Sequence, residues 1–161
     1  RCIDDSISIT LIRSSIDPDP YPEFGIHKFR FALCPVMLSS NKELIQRSYD
    51  YNHRFSVVST DAHEGKLPAS NSFISLEKGN IAISGIKMPE ECAGGNKLVI
   101  RVYETEGSKT NASVRLFKKP VKAYFIDINE EKIESGNINT DGETISFDVS
   151  PYSIASICVE F

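Results

Sequence analysis

The chain has no tryptophan. Tyrosine and phenylalanine are thus the only large rings able to stack on a sugar, and most of the nine phenylalanines fall at inward strand positions, which weighs against a free-standing carbohydrate-binding module. It has no CxxC pair: Cys2, Cys34, Cys92 and Cys158 lie far apart, without the spacing of a zinc knuckle or a redox motif. No apolar run approaches the ~20 residues of a membrane-spanning helix, so no membrane partner is expected. Positive charge is scattered and the net charge is −4, which opposes a phosphate backbone and argues against nucleic acid. A glycine-rich phosphate loop and a G-x-S-x-G elbow are both missing, which removes two common routes to nucleotide and ester chemistry.

What is present is an ordinary globular composition, 40% hydrophobic and 25% charged over 161 residues. That length fits one domain spanning 1–161, able to bury roughly 70% of its unfolded surface. The strongest element is a strand over 97–107, with Leu98, Ile100 and Val102 on one face and Val99, Arg101 and Tyr103 on the other. Alternation also predicts strands over 6–14, 25–34 and 54–60, the second turning His27, Phe29, Phe31 and Leu33 inward. A loop with Pro18, Pro20 and Pro22 separates the first two. Ser40 followed by Glu43 signals a helix over 40–53 with a stripe of Leu44, Ile45 and Tyr49. Strands over 72–76 and 80–88 flank Lys78-Gly79-Asn80, a hairpin signal. Further strands are predicted over 112–117, 121–128, 144–149 and 153–161. The fold class is all-β, an antiparallel β-sandwich of about ten strands with one short helix.

Local chemistry is sparse. Asp61, His63 and Glu64, with His53 upstream, form the best cluster for a metal and read as a polar loop. Carboxylates at i and i+2, Asp17 with Asp19 and Glu104 with Glu106, are common on strand ends and turns and nominate no glycosidase pair by spacing. The sequon at Asn111 reads as incidental. Cys34 and Cys158 sit in apolar strand patterns as small hydrophobes, and a reducing, cytoplasmic compartment is expected. No signal peptide is visible, and a chain opening on Arg1 straight into strand-like sequence is expected to be a piece of a longer one.

Several segments in register resemble the C-terminal β-domain of the α-mannosidases of glycoside hydrolase family 38. They are ITLIRS at 9–14 with Pro18 and Pro20, GIHKFRFAL at 25–33 with Pro35, and LVIRVYET at 98–105. Pro120-Val121, Asp127, the NEE run at 129–131 and PYSI at 151–154 follow in the same order. Val36 stands where many family members have His, and Ser15-Ile16 replaces a Pro-aromatic pair.

The resemblance implies a non-catalytic C-terminal domain of a retaining α-mannosidase, packing on the catalytic domain of the same chain. It implies that zinc and the catalytic carboxylates belong to that catalytic domain, so no metal or cofactor is expected in this chain. A mannoside is the implied substrate, and a homo-oligomer is compatible with the reading. Arg13 is the foremost candidate for the edge of the substrate cleft or the domain interface, with Asp19 and His27 behind it; pairing of Arg13 with Asp17 or Asp19 is the structural alternative. Arg101 and Glu104 are expected to form cross-strand pairs. The alternative function is an autonomous carbohydrate-binding sandwich.

Overall fold

In the computed structural model, all residues are described except 1, 4, 15, 16, 19, 22, 38, 91–94 and 135, and the side chains of 2 and 3. The chain divides into two units, Arg1–Met37 and Leu38–Phe161.

In the first unit, β1 (Cys2–Ile3) pairs antiparallel with β2 (Ser6–Ile7), and no further strand forms among the described residues. The strands predicted over 6–14 and 25–34 are therefore corrected: only two residues of the first enter a ladder, and none of the second does. Ile9, Leu11, Ile26, Phe29, Phe31 and Leu33 stand exposed, and so does Cys34, which the pattern placed inside. Alternation makes a segment competent to pair, but a strand exists only where another backbone supplies the ladder.

The second unit is the sandwich. Helix α1 (Asn41–Asn52) starts at Ser40, whose Oγ accepts the Glu43 N–H at 3.2 Å. The Glu43 carboxylate reaches back to Ser39 rather than to the cap itself, so the box is displaced by one residue. Ile45 and Tyr49 are half-buried, while Leu44 is exposed. The predicted strand over 54–60 is absent, leaving Phe55, Val57 and Val58 exposed, and is likewise corrected.

Among the described residues eight strands follow: β3 (Ile74–Lys78), β4 (Ile81–Lys87), β5 (Lys97–Glu104), β6 (Thr110–Leu116), β7 (Lys122–Ile126), β8 (Asn139–Asp141), β9 (Thr144–Val149) and β10 (Ile154–Glu160). One sheet has the order β3-β6-β9-β8 and the other β4-β5-β10-β7, every pairing antiparallel. Ile81, Ile100, Val102, Phe125, Ile157 and Val159 from one sheet meet Ala112, Val114, Leu116, Ile145, Phe147 and Val149 from the other. Strand β5 lies between β4 and β10, the central position its near-continuous apolar pattern predicts.

The turn at 78–80 is not a hairpin. β3 pairs with β6 and β4 with β5, so Gly79-Asn80 carries the chain from one sheet to the other. Gly79 has φ +97°, and a Cβ there would lie 3.0 Å from the Ala112 Cα. Gly79→Ala is expected to cost about 1–3 kcal/mol, from left-handed strain and pressure on the β6 backbone, read as a lower urea midpoint at unchanged m value. A neutral substitution would show that this corner relaxes freely.

Three sheet-crossing turns meet at one carboxylate. Glu104 ends β5 and is 3% exposed. Its Oε1 accepts the Glu106 N–H at 2.7 Å and the Asn80 side-chain amide; its Oε2 accepts the Gly107 and Tyr152 N–H groups, each at 2.8 Å. The donors come from the β3–β4, β5–β6 and β9–β10 connections. The expected cross-strand pairing of Glu104 is thus corrected: its partners are turn amides, because the strand ends where the side chain begins to serve three loops. Tyr152 has φ +51°, and its ring packs so closely on Gly107 (φ +73°) that a Cβ there would lie 2.3 Å from it. Helix α1 docks on the same corner: Glu106 Oε1 accepts the Lys42 N–H at 3.0 Å, and Asn41 donates to the Thr105 carbonyl at 2.9 Å.

Candidate functional site

The outer face of the β4-β5-β10-β7 sheet follows from strand period and register. Residues alternate with the core set, so Lys97, Val99, Arg101 and Tyr103 of β5 point outward. Cys158 is paired with both Val99 and Tyr124, and Ser156 with both Arg101 and Ile126, giving two rows that run across three strands. Arg101 Nε donates to Ser156 Oγ at 2.9 Å, a cross-strand contact of the kind expected of that arginine. At one end of this face Tyr49 of α1 donates to the Ile83 carbonyl at 3.0 Å and meets the Tyr103 hydroxyl at 3.4 Å. Burial and the Tyr49 hydrogen bond push the Tyr103 phenol up to about 12.

At the other end lies a pocket of about 540 Å³. Its floor is Val99, Tyr124, Ile126 and Cys158, and Val99, Ile126 and Cys158 form a second buried apolar cluster with Tyr124 against it. Pro89 and Glu90 line it from the β4 side, with Lys97 and residues 129–131 completing the rim.

The 127–131 loop is built around Asp127. Its Oδ1 accepts the N–H groups of Asn129 and Glu131, both at 2.9 Å, and its own N–H donates to the Glu131 carbonyl at 2.9 Å. Glu130 is thereby held at φ +68°, a conformation unfavourable for a residue with a Cβ. Its carboxylate receives Lys87 Nζ at 2.5 Å and the Glu90 N–H at 2.8 Å, which hold its pKa below the ordinary carboxylate range. Glu160 Oε1 receives Lys97 Nζ at 2.8 Å and the Tyr124 hydroxyl at 3.0 Å, and its pKa too is lowered, by Lys97 first and then Tyr124. The reciprocal contact raises the Lys97 pKa. The Tyr124 phenol is raised by its hydrogen bond to Cys158, then by burial and by Glu160. Two lysine–glutamate pairs therefore order the rim while neutralising much of its charge.

Of the residues nominated from sequence, Arg13 and His27 belong to the first unit and are not among the residues lining this pocket. Arg13 is exposed and outside regular structure in the first unit, and Asp19 lies outside the described residues. His27 is exposed rather than inward on a strand; its Nε2 is 2.8 Å from the Glu23 carbonyl and its ring stacks 6.3 Å from Phe29. Among the described residues no hydrogen bond or ion pair joins Arg13 to His27. Sequence reasoning missed the pocket, although a signal existed: Val99 and Cys158 are apolar on the face opposite the core, which implies a cover on that side.

Comparison with known proteins gives a consistent picture. Residues 80–157, from Asn80 through most of β10, match the family described as "Glycosyl hydrolases family 38 C-terminal beta sandwich domain". Alpha-mannosidase 2C1 of Mus musculus is 24% identical over 152 residues, covering 94% of this chain and 14% of the relative. The Homo sapiens Alpha-mannosidase 2C1 is 25% identical over the same coverage, and Alpha-mannosidase G of Dictyostelium discoideum is 29% identical over 154 residues, covering 92% of this chain and 14% of the relative. The chain thus spans about a seventh of these relatives' length. No solved structure matches significantly. From β4 through most of β10, the chain is similar to the glycosyl hydrolase family 38 C-terminal β-sandwich domain.

Proposed function

We propose that the chain serves as the non-catalytic sandwich portion of a retaining α-mannosidase, packing on a catalytic portion that hydrolyses terminal α-mannosides. The observation that carries this reading is the family match over β4–β10, together with α-mannosidase relatives of which the chain covers 14%. Exposed apolar side chains at 55–58, and again at Ile86 and Met88, are the kind of surface that another domain covers. Zinc belongs, on this reading, to the catalytic portion. The residues here do not suit it: among the described ones no group of three or more His, Cys, Asp or Glu side chains is placed to hold a metal. A reducing, cytoplasmic setting is part of the same proposal, supported by the exposed free thiol of Cys34.

Hydrolysis of an aryl α-mannoside in the presence of zinc tests the reading. The chain alone is expected to be inactive and a chain that also contains the relatives' remaining length to be active. In that longer chain a folded Arg13→Ala variant is expected to lose turnover. Hydrolysis by the 161 residues alone would overturn the non-catalytic assignment, and full activity in the variant would remove Arg13 from the cleft.

A further inference from the structure

We propose that the pocket on the outer face of the β4-β5-β10-β7 sheet binds a neutral pyranoside. The choice of an α-mannoside as its ligand rests on the α-mannosidase reading; the chemical class rests on the pocket. At about 540 Å³ the pocket falls within the size range of small-molecule sites. Its lining divides as a pyranoside requires: the half-buried Tyr124 ring, set on the buried Val99, Ile126 and Cys158, offers an apolar floor to a C–H face, while residues on the rim offer acceptors and donors to hydroxyls.

The polar groups are ordered before any ligand arrives. Lys97 and Tyr124 converge on Glu160, Lys87 and the Glu90 N–H converge on Glu130, and Lys122 Nζ lies 5.4 Å over the Tyr124 ring. Such groups need little reorganisation on binding. Glu130 reaches its position only through left-handed backbone, and strained residues of this kind cluster at ligand sites. The charge balance selects for neutrality. Pairing of Lys97 with Glu160 and Lys87 with Glu130 leaves the rim without the excess positive charge an anion needs, and Glu131 adds a further carboxylate. Carboxylates accept hydroxyl protons in strong charge-assisted hydrogen bonds, and Asn129 adds an amide able to give and to accept.

The test is a titration of the 161-residue chain with methyl α-mannopyranoside, followed through backbone amide NMR signals, whose dispersion also reports folding. Perturbation of the Val99, Tyr124, Ile126 and Asn129 amides is expected. Glu131→Gln and Asn129→Ala, both at exposed positions, are expected to weaken binding, the former about tenfold. Arg115→Ala, on the opposite sheet, is expected to leave it unchanged. Absent perturbation, perturbation mapping elsewhere, or equal affinity in the Glu131 and Asn129 variants would overturn the proposal. A response to the diamine putrescine but not to the mannoside would do the same, assigning the pocket to cations. The hydrolysis assay compares this chain with a longer one, whereas the titration reads this pocket in the 161 residues alone, so the two readings fail independently.

Discussion

Phe147→Ala should lower the unfolding free energy by about 3–5 kcal/mol. Phe147 is 1% exposed in the middle of β9, among the largest side chains of the inter-sheet core. Its register partner on β6 is Ala112, which is too small to fill the space the ring leaves. Across the core it meets Phe125 edge to face, with centroids 6.0 Å apart and planes at 88°. Phe125 is itself closely neighboured: a Cβ at Gly136 would lie 3.1 Å from its ring. The two sheets are held by many other contacts, so they cannot collapse onto the vacancy, and the lost burial is compounded by a cavity. Urea unfolding at unchanged m value is the measurement. A loss below about 1 kcal/mol would mean that the sheets slide together, and that the core is less closely packed than its geometry indicates.

Glu104→Gln is expected to loosen one end of the sandwich and to flatten its acid dependence. The substitution keeps the shape, but one oxygen becomes an amide group. Either end then turns a donor toward donors: Glu106 and Asn80 on one side, Gly107 and Tyr152 on the other. Burial alone would raise the Glu104 pKa. The N–H groups of Tyr152, Glu106, Gly107 and Ser108 outweigh it and hold the carboxyl below its ordinary 4.5. A folded-state pKa below the unfolded one stabilises fully above the unfolded value and is lost as pH falls through the folded value. The advantage of the wild type over the variant should therefore be largest near neutral pH and shrink below about 4.5. Faster hydrogen exchange at Glu106, Gly107 and Tyr152 should accompany it, since their acceptor is the altered group. A constant difference across pH would show that the carboxylate's charge is not what these turns use.

Where local pattern and tertiary partner agree, the sequence was a good guide. The strand predicted over 97–107, observed as Lys97–Glu104, carries apolar residues on both faces and occupies a central position, because only a strand covered on both sides can bury both sets. Helix α1 was legible from Ser40 and Glu43, since capping involves groups three residues apart. The weak points are those where the deciding partner lies far along the chain. The segment over 25–34 alternates as cleanly as β6, yet Phe31 and Leu33 are exposed because no neighbouring backbone completes a ladder. Gly79 permits a hairpin and a sheet crossing alike, and the pairing of β3 with β6 chooses the crossing. β8 was missed, being three polar residues that become a strand only beside β9.

The candidate site shows the same division. Arg13, Asp19 and His27 were nominated for their chemistry in a proline-bounded loop, whereas the pocket gathers β5, β7, β10 and the 127–131 turn. No spacing rule joins Val99 to Cys158 or Glu104 to Tyr152. By itself, then, the sequence determined the all-β class, the helix, the central strand and the family likeness, because these rest on short-range periodicity and on ordered motifs. Only the tertiary structure decided which alternating segments became strands, which turns crossed between sheets, and which groups meet the buried Glu104 and the outward face of β5. Each of those depends on burial and hydrogen-bond partners that come together only when distant parts of the chain pack.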